Sequence, residues 1–196
     1  METKRMIFVT SPPACGKTKL SKKIATALKH VVYLDKDSLI PLSKQIFAVA
    51  GEPYNRSSDF FEREIRDYEY IVTVDMALEA LKYEDTVLVN APFTREIRDM
   101  DYINELKAKL AEVNAKLSVV WIVTDPEVCH QRMIDRASDR DTWKLEHWDE
   151  YISSVNFDIP ENLRDPKDDE SLILYHNSTD EMADESFAKL MKIFQE

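Results

Sequence analysis

The segment from Met6 to Ser21 constrains the fold more than any other. An apolar run, Met6, Ile7, Phe8 and Val9, gives way after Thr10 to Ser11-Pro12-Pro13-Ala14-Cys15, and Gly16-Lys17-Thr18 then opens a lysine-rich stretch that reads as a helix. Strand, tight turn and helix in that order form a setting in which backbone amides hold an anion. The N–H groups of the turn and of the first helical turn point inward, and the helix dipole adds positive potential at the same place. Lys17 can reach a bound phosphate chain from there, while the Thr18 hydroxyl can ligate magnesium. The plainer alternative is a chance tripeptide at a helix start, against which the strand before and the helix after both argue.

The usual form of such a loop is G-x-x-x-x-G-K-[ST], and Ser11 stands where the first glycine belongs. Serine tolerates fewer backbone conformations than glycine, so the loop entrance must avoid a strongly positive φ. Pro12 and Pro13 stiffen the approach and withdraw two backbone donors. The stretch that would touch phosphate is intact. Pro13, Ala14, Cys15, Gly16, Lys17, Thr18 and Lys19 are therefore the candidate nucleotide-binding residues.

Cys15 and Cys129 are the only cysteines, too few for a disulfide framework. Cys15 lies near a helix N-terminus and two lysines, surroundings that lower a thiol pKa. The simpler reading, a small loop residue, is preferred. If the thiol faces the site, bound nucleotide should slow its alkylation.

The length of 196 residues suits one domain spanning 1–196. No apolar run approaches membrane-spanning length. The N-terminus leads straight into a strand without an export-type apolar core, so cytoplasmic residence is expected. A net charge of −11 disfavours a long nucleic-acid partner, leaving at most a strand end. A small phosphate-bearing ligand is easier to accommodate. Oligomeric state is left open.

Apolar, β-rich runs at 6–10, 31–34, 86–90, 117–123 and 171–176 alternate with helical patterns at 17–29, 38–50, 59–82, 95–114, 126–136, 146–155 and 180–195. That alternation predicts an α/β fold of three layers, a five-stranded parallel sheet covered by helices on both faces. The run from Val119 to Val123 lacks alternation, as a central parallel strand requires. Thr124-Asp125-Pro126-Glu127 supplies a cap, a proline at the first helical position and an early acid. The polar stretch 156–169 reads as a surface loop.

Ligands of open parallel sheets bind beyond the carboxyl ends of the strands. Asp35 and Asp37 flank Lys36 after the second strand, one crossover from the turn at Gly16. A phosphoryl-transfer enzyme needs a carboxylate there to orient an acceptor hydroxyl and take its proton. Asp37 is the preferred base; its alternative role is to cap the following helix. Arg132, Arg136, Arg140 and Lys144 recur every four residues, on one face if the segment stays helical. Forked arginine donors suit the equatorial oxygens of a transferring phosphoryl group. The competing reading is a solvated helix laced by Asp135, Asp139 and Asp141.

Asn90 ends the third strand, where nucleoside triphosphatases usually carry an acid that holds magnesium through water. Asparagine accepts such a bond but brings no charge. Arg95 and Arg98 follow on the same rim, as candidates for an acceptor's anionic group, with Arg63 and Arg66 weaker ones. The four histidines show no metal-ligand spacing.

Together these residues resemble the P-loop kinases of the adenylate, gluconate and shikimate kinase group. The closer likeness is to AAA-type ATP-binding small kinases, which include polynucleotide 5′-kinases and zeta-toxin-like kinases. The stretch from Ser11 to Thr18 looks like the Walker A loop. Leu34-Asp35-Lys36-Asp37-Ser38-Leu39 resembles the segment bearing the catalytic acid, and residues 129–148 resemble the helical lid. The resemblance implies a P-loop NTPase fold, ATP with Mg²⁺ as cofactors, and γ-phosphoryl transfer to a hydroxyl of a small polar acceptor. Alternatives are a nucleoside, nucleotide or polynucleotide 5′-end kinase, and an ATP-binding regulatory module with little catalysis. It further implies Lys17, Asp37, Arg132 and Arg136 as catalytic residues, with both arginines on ATP. Asp35, Asp37, Asn90 and Arg95 would bind acceptor, and Thr18 and Asp37 magnesium. Adenine would lie between the lid helix and the loop His176-Asn177-Ser178-Thr179.

Overall fold

The computed structural model describes residues 3–138 and 141–195. Its elements run β1 (Lys4–Thr10), α1 (Lys17–Leu28), β2 (Val32–Asp35), α2 (Ile40–Ala50), α3 (Asp59–Phe61), α4 (Asp67–Ala80), β3 (Thr86–Asn90), α5 (Met100–Glu112), β4 (Ala115–Val123), α6 (Pro126–Arg136), α7 (Thr142–Glu146), α8 (Trp148–Ser154), β5 (Ile173–His176) and α9 (Asp180–Gln195). The five strands form one parallel sheet in the order β2-β3-β1-β4-β5. The expected α/β fold with a five-stranded parallel sheet is therefore present.

Alternate residues of each central strand enter cores on opposite faces. Met6, Phe8, Val87, Val89, Leu117 and Val119 pack with Val74 and Ala77 of α4 and Ile103, Leu106 and Leu110 of α5. Ile7, Val9, Leu88, Val120 and Ile122 pack with Leu20 and Ile24 of α1 and Leu190 and Phe194 of α9. Burial on both faces explains the unbroken apolar runs of β1 and β4. A satellite cluster of Phe47, Phe61 and Ile65 joins α2 to the turn after α3.

The helix boundaries depart from the sequence pattern at four places. Over 59–82 a π-helical turn, Glu62–Arg66, separates α3 from α4. The helix expected from 95 starts at Met100, because the Asp99 carboxylate accepts the N–H groups of Asp101 and Tyr102 and restarts the chain after a 3₁₀ turn, Glu96–Arg98. The helix expected over 146–155 is α8, which starts at Trp148 because His147, with φ of −124° and ψ of 45°, is not helical; the short α7 before it is not among the expected helices. After β2, a 3₁₀ turn, Lys36–Leu39, precedes α2, and its cap is Asp35 rather than Asp37. Among the described residues no helix is long and apolar enough to cross a membrane.

Candidate active site at the carboxyl edge of the sheet

The carboxyl ends of β1, β2 and β3 open into a cavity of about 590 Å³. Its wall includes Pro13, Ala14, Gly16, Lys17, Thr18, Lys19, Asp35, Lys36, Asp37, Arg56, Asn90, Arg132, Arg136 and Lys144. Residues from six separate segments thus meet at one place. The ring is strongly cationic in a chain whose net charge is −11. Such focusing draws a polyanion inward.

The turn after β1 is shaped by two left-handed residues, Ala14 at φ 62° and Gly16 at φ 93°. Ser11 is not among the positive-φ residues, so it fits where a glycine is usual. A Cβ at Gly16 would stand 2.7 Å from Asn177 Nδ2. Position 16 thus excludes a side chain on two grounds, dihedral and contact. Asn177 donates to the Cys15 carbonyl at 2.6 Å, and its own carbonyl accepts from Arg132 Nη2 at 2.7 Å. The loop after β5 therefore couples the turn to α6. Lys17 Nζ curls back to the carbonyls of Ser11 at 3.1 Å and Pro12 at 3.2 Å. Burial lowers the Lys17 ammonium to about 8, with the negative charge of Cys15 and Asp37 opposing that shift.

The Cys15 side chain points away from the cavity into the core between the sheet and α6. It is fully buried, with its Sγ 3.3 Å from Cys129 Sγ. Only its backbone can contribute to an anion cradle, and its alkylation is hindered with or without a ligand.

At the end of β3, Asn90 Nδ2 donates to Asp35 Oδ2 at 2.9 Å and Thr18 Oγ1 at 3.2 Å, while Tyr33 donates its hydroxyl to Asp35 at 2.9 Å. Asn90 Oδ1 is buried with no hydrogen-bond partner. Thr18 and Asp35 present hard oxygen atoms of the kind that suits magnesium, and Asn90 turns its amide nitrogen to both. Asp37, the magnesium candidate read from the sequence beside Thr18, lines the same cavity two residues beyond Asp35. Its carboxylate is half-exposed and 3.8 Å from Lys36 Nζ.

Lys36 and Arg56, neither of them among the residues expected in the site, form one wall of the cavity. Both are held by the buried Glu69 of α4: Lys36 Nζ at 2.7 Å, and Arg56 through two nitrogens at 2.7 Å each. Ser43 donates to the same carboxylate. Burial would raise the Glu69 pKa, but the bonds from Arg56, Lys36 and Ser43 outweigh it and hold the group at about 2.

The arginine row is broken. Helix α6 ends at Arg136, and Ala137 turns left-handed at φ 44°. Lys144 returns to the cavity from α7, and Arg140 and Asp139 lie outside the described residues. The fully buried Asp141 anchors Arg136 Nε at 2.7 Å and Lys144 Nζ at 3.3 Å, so lacing by an acid and a role at the cavity coexist. Arg132 keeps Nη1 buried and unpartnered. Beyond Arg132 and Gly16 a second recess of about 360 Å³ is bordered by Lys19, Tyr175, Asn177 and Asp180.

Arg95 does not reach the cavity wall; it pairs with Glu62 at 2.7 Å on the exposed rim. Arg98 braces Asn156 and the Asp158 carbonyl, Arg63 pairs with Glu64, and Arg66 with Glu96. His130 and His147 stack on Trp148 and Trp143.

The parallel sheet, the lysine-closed turn and the carboxyl-edge cavity define a P-loop NTPase fold of the kinase-like type. A family model described as an AAA domain matches residues 6–157, and the chain belongs to that family. Among solved structures, the chain is similar to a gluconokinase from Sinorhizobium meliloti 1021, at 17% identity and a TM-score of 0.55, covering 98% of this chain and 95% of that one. A chain from the PezAT chromosomal toxin–antitoxin system of Streptococcus pneumoniae aligns at 14% identity and a TM-score of 0.58, over 100% and 89%. The shikimate kinase of Bacteroides thetaiotaomicron aligns at 14% and 0.50, over 97% and 98%. Among curated proteins, none matches the sequence.

Proposed function

We propose that this protein is a kinase that moves the γ-phosphoryl group of ATP to a hydroxyl of a small polar acceptor. The observation that carries the reading is the convergence of Lys17, Thr18, Asp35, Asp37, Arg132 and Arg136 on one cavity. In this reading the triphosphate lies across the amides from Ala14 to Lys19, and Lys17 leaves its carbonyl partners for the β- and γ-phosphates. Adenine takes the recess beside Asn177. Magnesium, when bound, supplies charge neutralisation on the phosphate oxygens; Thr18 and Asp35 would hold it. Asp37 accepts the proton of the acceptor hydroxyl as the new bond to phosphorus forms. Arg132 and Arg136 offer forked donors to the transferring group, and residues 129–148 act as the lid that keeps water out.

Lys36 and Arg56 face two carboxylates, Glu69 and Asp37, so the charges of this wall balance. Arg56, not Arg95, is the guanidinium that lines the cavity and can meet a polar group of the acceptor.

The test is a thermal-shift screen with Mg-ATP against anionic sugars, nucleosides and oligonucleotide ends, followed by a transfer assay on each hit. Asp37→Asn should retain ATP affinity and lose at least about a hundredfold in turnover. Equal turnover in wild type and variant would remove Asp37 as the base; no uptake of ATP at millimolar magnesium would end the kinase reading. A regulatory module would leave the nucleotide response of Asp37→Asn unchanged and show no transfer with any acceptor.

A further inference from the structure

The two cysteines of this chain are 114 residues apart in sequence, yet their sulfurs touch at 3.3 Å. Both are fully buried and free. One belongs to the turn that precedes Lys17 and the other to α6, the helix that brings Arg132 and Arg136 to the cavity. Packing alone would be served by alanine or valine at either place. The nucleotide reading makes no use of either thiol.

We propose that Cys15 and Cys129 are a covalent modification site, at which an oxidant of the peroxide class forms a disulfide that ties the turn to α6 and weakens nucleotide binding. The nucleotide half of this proposal rests on the kinase reading; the covalent half does not. The Cys15 thiolate attacks one peroxide oxygen, the O–O bond breaks, and the other oxygen leaves as hydroxide, which is protonated to water. Cys15 then carries a sulfenic acid. The Cys129 sulfur attacks Cys15 Sγ, the S–OH bond breaks, and the departing hydroxide takes the Cys129 proton and leaves as a second water. Two thiols are oxidised by two electrons and one peroxide is reduced. The hydrogen bond from Cys129, and after it the positive charge of Lys17, favour a thiolate at Cys15, and the same contact leaves Cys129 as the protonated partner.

The geometry explains the effect on binding. A disulfide needs its sulfurs at about 2.05 Å, so the two elements must approach by roughly an ångström. Cys15 sits between the left-handed residues Ala14 and Gly16, and its carbonyl is pinned by Asn177. A pull on its side chain therefore rotates the amides on either side. Displacements of about 1 Å at a phosphate cradle are enough to cost an order of magnitude or more. Because the thiols are buried, peroxide must wait for α6 to lift from the turn. ATP bridging the two should slow the reaction.

The experiment uses the reduced full chain treated with hydrogen peroxide, then digested without reductant and read by peptide mass, with ATP affinity measured by calorimetry before oxidation, after it and after dithiothreitol. The expected result is a Cys15–Cys129 linked peptide, formed more slowly with ATP present. ATP affinity should fall at least tenfold and recover on reduction, and Cys129→Ser should keep its affinity through the same treatment. Absence of the linked peptide overturns the proposal, as does a linked protein that binds ATP unchanged or an equal loss in Cys129→Ser. If the reduced chain takes up no ATP, the nucleotide half falls with the kinase reading, while the linked peptide still decides the covalent half.

Discussion

Asn90 donates from Nδ2 to Asp35 Oδ2 at 2.9 Å, and the same amide stands 3.2 Å from the Thr18 hydroxyl. An acid at position 90 could not make the first of these bonds in the absence of a cation. The two residues divide the work at this edge: charge comes from β2, and the bond that holds it comes from β3.

This division predicts the behaviour of Asn90→Asp. Two carboxylates would face each other, costing about 1–3 kcal/mol without metal because a bonded pair becomes a repelling one. Millimolar Mg²⁺ should restore the melting temperature of the variant more than it raises that of the wild type. Equal magnesium shifts would separate Asp35 and Asn90 from any metal role.

Burial lowers the Lys17 ammonium to about 8. If a bound triphosphate needs the charged form, binding takes up a proton once the pH exceeds that value. ATP affinity should then be flat below about pH 8 and fall by up to about tenfold per unit above it. Calorimetry across pH 7 to 10 checks this. A flat profile would mean that Lys17 does not face the phosphates.

The two left-handed residues of the turn should respond oppositely to substitution. Gly16→Ala puts a Cβ against Asn177 at 2.7 Å in a strained dihedral, so a loss of about 2–3 kcal/mol is expected, together with ATP affinity. Ala14→Gly relieves a φ of 62° and should be neutral or stabilising by up to about 1 kcal/mol. Urea unfolding of both variants measures the difference.

Glu69 holds two cations and a hydroxyl in the protein interior. Glu69→Gln leaves Lys36 and Arg56 without their counter-charge and should cost about 3–5 kcal/mol. In the wild type this carboxylate, held at about 2, is lowered from an ordinary value of about 4.3. Its contribution is fully present above the ordinary value and disappears as the pH falls towards about 2. Acid titration of wild type and variant should therefore diverge at neutral pH and converge towards pH 2.

What was readable without a structure came from local signals. The apolar runs, the glycine before Lys17, and the Asp125-Pro126-Glu127 start of α6 each act within a few residues, and each stands where expected. Helix interiors were legible for the same reason. Their boundaries were less so: Asp99 outcompetes continuation of a helix from 95, and Ala137 ends the helix that a pure four-residue period would have continued.

The sequence by itself determined a parallel sheet closed at one edge by a lysine-bearing turn, because strand, turn and helix preferences are short-range. Only the tertiary structure decided which distant groups face each other there. Strand order β2-β3-β1-β4-β5 sets Asp35 beside Asn90, packing of α4 brings Glu69 under Lys36 and Arg56, and the seat of α6 joins Cys129 to Cys15. Such pairings depend on how whole elements share a core, and no spacing along the chain encodes them.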